Sequence, residues 1–237
     1  MGKLVLSLIL VLCMTGLALA ERTVTVRPLE TDGITSLFAA DRQDCLVGNP
    51  NPFFYAVPDW IWGAEKYTYI YRPYDTCGCP AGFTVDFVHM IVQFGAEDVP
   101  VTFDAYVTVD SQAWNDELGC WYPGDAVCAS EVTSITIDTP GLYDIGLPTA
   151  DCACASMNYQ YSLSYVFDST FASNPDIVTD QYPSDCTSWN DYGLGWYDLV
   201  ADFGFPGNLM LWADVTCCQT PVANAEETWG AVKSLYE

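Results

Sequence analysis

Apolar and polar residues alternate along several stretches of the chain. In residues 101–110 every second position is apolar, and residues 67–71 and 159–167 repeat the pattern with tyrosine, leucine and phenylalanine. A period of two is typical of a half-buried antiparallel strand, because successive side chains point to opposite faces of the sheet. Residues 83–94 and 208–216 are apolar at both sets of positions, which predicts central strands or strands at the interior of a sandwich.

Turn-forming residues separate these segments, as in GNPNP (48–52) and GFPGN (204–208). Residues 134–148, SITIDTPGLYDIGLP, have the pattern of a strand, a Pro-Gly turn and a second strand, which predicts an edge hairpin. The pattern gives about nine to eleven strands and no helix before the C-terminal tail. We therefore expect an all-β fold, a single two-sheet antiparallel β-sandwich with jelly-roll-like topology over residues 21–218.

The two ends of the chain differ from this central part. Residues 1–20 have one early lysine, an apolar stretch and the small-residue ending Ala18-Leu19-Ala20, which predicts a signal peptide cleaved before Glu21 and a secreted, extracellular or cell-surface protein without a membrane span. Residues 219–237 are predicted to be a linker and a short C-terminal tail. The tail is either a short docked helix or a recognition segment.

The cysteines predict disulfides. Signal cleavage would remove Cys13 and leave an even number in an oxidising compartment, which favours five disulfides. Cys-x-x-Cys spacing is absent and the chain has one histidine, so metal and redox centres are disfavoured. The cysteines concerned are Cys45, Cys77, Cys79, Cys120, Cys128, Cys152, Cys154, Cys186, Cys217 and Cys218.

Two features bear on the connectivity of these disulfides. Cys217 and Cys218 are adjacent, and their Cα atoms are too close for a mutual disulfide, so each should bond a different partner. The segment 120–128, CWYPGDAVC, has Pro123-Gly124 at its centre. This predicts a local Cys120–Cys128 disulfide across a hairpin.

Composition and charge limit the partners. The formal net charge of −24 argues against nucleic acid and anionic lipid as partners. The 51% hydrophobic and 14% aromatic content is enough for a folded core, which argues against disorder.

Catalytic motifs are sparse. The chain has no Gly-x-Ser-x-Gly segment, and any histidine-based triad would need His89, which lies in the apolar segment DFVHMIVQF. We expect a buried, hydrogen-bonded histidine there and a non-enzymatic protein. A glycoside hydrolase using two carboxylates is the less favoured alternative.

Two aromatic-rich loops suggest a glycan-binding site. Flat aromatic side chains can stack on the apolar faces of sugars while nearby carboxylates and amides bind hydroxyl groups, and glycines let such loops bend. The alternative is that these aromatics close the ends of the sandwich core. The candidates are Trp189, Asn190, Asp191, Tyr192, Trp196, Tyr197 and Asp198, together with Trp60 and Trp62.

Acidic loops suggest calcium as a possible cofactor, because calcium prefers oxygen ligands. Neither acidic segment matches an EF-hand loop, so a solvated acidic loop is the alternative. The candidate ligands are Asp110, Asp116, Glu117, Asp176 and Asp180.

The motifs CGCPAGF, DTPGLYDIGLP, NDYGLGWYDL, GFPGN and TWGAVKSLY together resemble those of uncharacterised secreted bacterial β-sandwich proteins. The resemblance covers roughly residues 75–237 and implies an extracellular, non-catalytic protein. It assigns no catalytic role to any residue of this chain. We therefore predict a protein that binds a glycan or surface polymer. The alternative is a structural subunit that assembles with copies of itself, for which residues 23–29, TVTVRPL, could serve as a donor strand.

Overall fold

Two antiparallel sheets form the fold. The computed structural model describes residues 22–30, 45–51, 54–70, 79, 82–149, 152 and 161–218, and these residues contain no helix. The first sheet contains β1 (Thr25–Leu29), β2 (Cys45–Gly48), β3 (Tyr55–Val57), β5 (Phe83–Phe94), β9 (Gly141–Pro148), β11 (Asp176–Thr179) and β14 (Leu211–Cys217). The second contains β4 (Gly63–Ile70), β6 (Val101–Asn115), β7 (Cys120–Ala129), β8 (Thr133–Ile137), β10 (Tyr161–Thr170), β12 (Ser188–Asp191) and β13 (Trp196–Asp198).

The predicted all-β, two-sheet, disulfide-stapled fold is confirmed. Strand β5 coincides with the apolar segment 83–94 and pairs with β9, β14 and β11. The described part of the chain has more strands than predicted, because several strands have only three or four residues. Such strands are too short to show a period of two.

The predicted edge hairpin at residues 134–148 is wrong. Strand β8 pairs with β6 in the second sheet, whereas β9 pairs with β1 and β5 in the first. The Pro140-Gly141 turn therefore carries the chain from one sheet to the other. This connection lets Ile137 and Ile145 enter the core from opposite sides.

The core lies between the sheets and is rich in aromatic side chains. Phe103 packs 6.0 Å from Phe94 and 5.7 Å from Phe167, measured between ring centroids. All three are almost completely buried, and burying a phenylalanine side chain stabilises a fold by about 1.5–3 kcal/mol. These residues lie at the alternating apolar positions of their strands, as the periodicity predicts.

The second sheet curls on itself and buries polar residues that alternation alone would place on its exposed face. Strands β4 and β7 are in contact although β10 and β6 lie between them in the sheet. Inside the curl, Lys66 Nζ lies 2.8 Å from Asp110 Oδ2, and the Ser164 hydroxyl donates a hydrogen bond to the same carboxylate. Both faces of this sheet are therefore partly buried.

Three disulfides are described: Cys79–Cys217, Cys120–Cys186 and Cys128–Cys152. Cys218 also forms a disulfide, so the adjacent cysteines bond different partners, as predicted. The predicted Cys120–Cys128 disulfide is wrong, because both residues lie in β7, and a strand rises about 3.3 Å per residue, which keeps the two sulfurs far apart. The side chains of Cys45, Cys77 and Cys154 lie outside the described residues.

Two further features bear on location and assembly. Disulfides are typical of extracellular proteins, and no helix in the described ranges is long and apolar enough to cross a membrane. Residues Thr25–Leu29 of the predicted donor strand form β1, which pairs with β9 of the same chain. The predicted signal peptide (1–20) and the tail (219–237) lie outside the described residues.

Candidate functional site

A cavity of about 400 Å³ opens where β4 begins and β12 ends. Ligand sites in proteins typically have volumes of about 300–1,000 Å³. We call this cavity the Trp62 pocket. Its lining residues are Trp60, Trp62, Gly63, Glu65, Asn190, Tyr192 and Phe203.

Aromatic side chains form a continuous wall of the Trp62 pocket. Trp60 contacts Phe203 edge to face with ring centroids 5.2 Å apart, and Phe203 lies 5.8 Å from Tyr197. Tyr197 stacks on Tyr192 at 4.9 Å. Trp62 is 64% exposed and Tyr192 is 41% exposed, so both present ring surface to solvent.

The polar floor of the pocket consists of Glu65 and Asn190. Glu65 is only 4% exposed, and its Oε1 accepts hydrogen bonds from the backbone N–H groups of Trp62 at 2.7 Å and Gly63 at 3.0 Å. Asn190 Nδ2 donates to Glu65 Oε2 at 3.1 Å. Burial raises the pKa of Glu65, and these hydrogen bonds oppose that effect.

Gly63 has an unusual backbone conformation, and it lies between Trp62 and Glu65 where the chain enters β4. Gly63 has φ +79°, and a Cβ at this position would lie 2.0 Å from the carbonyl oxygen of Ser169. Only glycine avoids this clash while adopting the left-handed region without strain. The chain therefore turns sharply into β4, and the Glu65 carboxylate can bind the two amides that precede it.

The opposite rim is the loop between β12 and β13, which Asp191 orders. Its Oδ1 accepts hydrogen bonds from the backbone N–H groups of Gly193 at 2.8 Å and Gly195 at 3.2 Å. Both glycines have positive φ. This turn presents Tyr192 to the pocket and Leu194 to solvent.

The pocket lies within a region that matches a known family. A model described as "Domain of unknown function (DUF7451)" matches residues 43–215, more than half of the chain. The chain belongs to this family. No curated protein and no solved structure matches the chain.

The DUF7451 region brings part of the predicted glycan site together. Trp60, Trp62 and Tyr192 line the pocket, while Tyr197 and Asp191 support it. Alternation along the strands explains this division. Asn190 and Tyr197 are directly paired across β12 and β13 and lie on the core-facing side of the sheet, so their neighbours Trp189 and Trp196 point to the other face.

Three predicted site residues lie elsewhere in the DUF7451 domain. Trp189 is 1% exposed and packs with Ile70 and Cys120, and Trp196 lies beneath Lys66. Asp198 accepts hydrogen bonds from backbone N–H groups of the turn after β13 and from Cys186. For these three residues, a structural role in closing the core is the better description.

Three lining residues, Gly63, Glu65 and Phe203, were not among the sequence-based candidates. Glu65 is a single acid in a strand pattern, and its partner Asn190 lies 125 residues away, so local sequence carries no signal for the pair. Phe203 lies in the segment ADFGF just before a predicted turn. The segments around Trp60 and Phe203 are both rich in aromatic residues, and this was the one sequence feature that could have suggested their contact.

The predicted calcium ligands do not lie together in the structure. Asp110 is fully buried against Lys66 inside the curled sheet, whereas Asp116 and Glu117 lie in the exposed turn between β6 and β7. Asp176 and Asp180 flank opposite ends of β11 and accept hydrogen bonds from the protein itself. Within the described ranges, no group of three or more acidic, histidine or cysteine side chains could hold a metal ion.

His89 occupies a separate buried cluster on the outer face of the first sheet. Its Nδ1 lies 2.8 Å from Asp144 and its Nε2 lies 3.3 Å from Asp214, while Arg27 also pairs with Asp144 at 2.8 Å. The ring stacks on Trp212. Burial lowers the pKa of His89, but the two carboxylates outweigh it and raise the pKa to about 9. The prediction of a buried, hydrogen-bonded histidine is confirmed.

Proposed function

We propose that this protein is a secreted, extracellular or cell-surface β-sandwich protein that binds a glycan in the Trp62 pocket without catalysis. The observation that carries the proposal is the placement of two exposed aromatic rings, Trp62 and Tyr192, around a floor made of a carboxylate and an amide. The predicted signal peptide and the disulfides support export.

The chemistry of the pocket suits a sugar ring. The C–H face of a pyranose is apolar and can lie against Trp62 or Tyr192, so that stacking removes apolar surface from water. The hydroxyl groups at the ring edge can donate to the Glu65 carboxylate. A pocket with apolar walls and a few fixed polar groups is the usual form of a small-molecule site.

Binding is better supported than hydrolysis. Glycoside hydrolysis normally uses two carboxyl groups placed about 5–10 Å apart on either side of the scissile bond. Among the described residues that line the Trp62 pocket, Glu65 supplies one such group. That carboxylate is engaged by backbone amides and Asn190, an arrangement that fixes its position and favours recognition.

The test is retention of the oxidised mature protein in native gels that contain soluble polysaccharides of different composition. We expect at least one polysaccharide to slow the wild type, and Trp62→Ala to lose most of that retardation because the exposed stacking ring is gone. Trp114→Ala is the matched control, since Trp114 is 51% exposed on the β6–β7 hairpin and is not among the residues that line the pocket. Equal retardation of wild type and Trp62→Ala, or no retardation by any polysaccharide, would reject the proposal.

A further inference from the structure

We infer that the Trp62 pocket selects a sugar that carries a positively charged amino group. The inference rests on the proposed glycan function and narrows it to one substrate class, amino sugars with a protonated or alkylated nitrogen. Its basis is the pairing of an aromatic cage with a buried carboxylate that has no cationic partner within the described chain.

The charge of the Trp62 pocket is negative. Of the seven lining residues, Glu65 is the one with an ionisable carboxyl group, and none is basic. Asp110 pairs with Lys66 and Asp144 pairs with Arg27, whereas the buried acids Asp98, Asp180 and Asp198 accept hydrogen bonds from backbone N–H groups, as Glu65 does. Within the described ranges, Glu65 receives hydrogen bonds from neutral donors only.

Lys66 follows Glu65 directly in the sequence but does not neutralise it. Successive strand residues point to opposite faces, and the Lys66 ammonium lies inside the curled sheet, 2.8 Å from Asp110 and over the Trp196 ring. The Glu65 carboxylate is therefore largely removed from water, and no described residue gives it a counter-charge. A ligand cation would compensate that loss of hydration directly.

The aromatic wall of the pocket suits a cation. A cation within about 6 Å of an aromatic ring centroid is attracted by the negative face of the ring, most strongly by tryptophan, and cages of several aromatic side chains recognise alkylated ammonium groups. Trp60, Trp62, Tyr192 and Phe203 line the same cavity. An ammonium group in this cavity could therefore contact aromatic faces and the Glu65 carboxylate at the same time.

The surroundings of the pocket are acidic. Asp191 supports the rim beside Tyr192. The hydrogen bond with Tyr197 is the main cause that raises the pKa of Tyr192, and the negative charge of Asp202 raises it further. The whole chain has a net charge of −24. A negative field attracts cationic ligands and repels anionic ones, so uronic-acid polymers are poor candidates.

The experiment compares two oligosaccharides of equal length and linkage by calorimetric titration. One consists of N-trimethylated glucosamine, which is charged at every pH, and the other consists of N-acetylglucosamine, which is neutral and of similar size. We expect the wild type to bind the trimethylated oligomer at least about tenfold more tightly, with an affinity that falls as salt is added.

Glu65→Gln should remove this preference, because glutamine keeps the shape of the side chain and one acceptor oxygen but carries no charge. Glu117→Gln, which removes the same charge from an exposed turn, is the matched control and should keep the preference. Thermal unfolding of each variant checks that it folds. If Glu65→Gln does not fold, the affinities of the wild type for the two oligomers alone decide whether the pocket prefers a charged amine.

Equal binding of the two oligomers by the wild type, or tighter binding of the acetylated one, would overturn the selection for a charged amine and leave the glycan-binding proposal standing. Retention of the full preference in a folded Glu65→Gln variant would also overturn the inference. Failure of both oligomers and of every polysaccharide in the retardation panel would overturn both proposals.

Discussion

The stability of this fold should decrease as the pH rises from about 6.5 to about 9, because the folded state holds a proton on His89 that the unfolded state does not. In the buried cluster, the imidazole lies between the carboxylates of Asp144 and Asp214, and Arg27 is paired with Asp144. With His89 protonated, its positive charge lies between these two carboxylates and both stabilise it. Loss of the proton removes that stabilisation.

The magnitude follows from the two pKa values. The folded-state pKa of His89 is about 9 and the ordinary value is 6.5, a difference of 9 − 6.5 = 2.5. At 1.36 kcal/mol for each unit, His89 contributes about 3 kcal/mol to the free energy of unfolding. Since the folded-state pKa is the higher one, this contribution is complete below pH 6.5 and is lost as the pH rises through about 9.

The assay is urea unfolding of the oxidised protein at several pH values from about 6 to about 9.5. Burial raises the pKa values of Tyr67 and Tyr165 well above their ordinary value, so these tyrosines stay neutral in this range. His89→Gln should be less stable than the wild type at pH 6 and should show little change across the range. His89 is the single histidine of the chain, so its proton resonances also give the pKa directly.

Wild-type stability that is flat between pH 6.5 and 9 would refute this reasoning. A histidine resonance that titrates near 6.5 in the folded protein would do the same, since the two carboxylates could not then be stabilising the charged imidazole.

Two further predictions test the packing of the second sheet and the disulfide framework. Lys66→Ala should lower the free energy of unfolding by about 3–5 kcal/mol, because it leaves the fully buried Asp110 without its cation; a loss below about 1 kcal/mol in urea unfolding would contradict the role of this pair. Peptide mapping of the unreduced protein should recover the linked pairs Cys79–Cys217, Cys120–Cys186 and Cys128–Cys152. Recovery of a peptide linking Cys120 to Cys128 would contradict the continuous strand β7.

The long strands could be predicted because their pattern is local. Residues 83–94 coincide with β5, and the apolar positions of residues 101–109 point into the core. Strand pairing could not be predicted in the same way. The Pro140-Gly141 turn connects two sheets and β7 runs through Pro123-Gly124 with register shifts, and both outcomes depend on packing between distant segments.

The candidate site could be predicted in part. The loops that contain Trp62 and Tyr192 stood out because their sequences combine several aromatic residues with acidic residues and glycines. The roles of Trp189 and Trp196 could not be assigned, since their burial depends on the curl of the second sheet. Glu65 was missed because its significance lies in the contact with Asn190 across two paired strands.

The most direct test of the account is a crystal structure of the mature protein bound to the oligosaccharide that binds it most tightly. We expect a sugar ring stacked on Trp62 or Tyr192, with a polar group of the ligand within hydrogen-bond distance of the Glu65 carboxylate. A sugar bound elsewhere, for example on the exposed Trp114–Trp121 pair of the β6–β7 hairpin, with the Trp62 pocket empty, would contradict it.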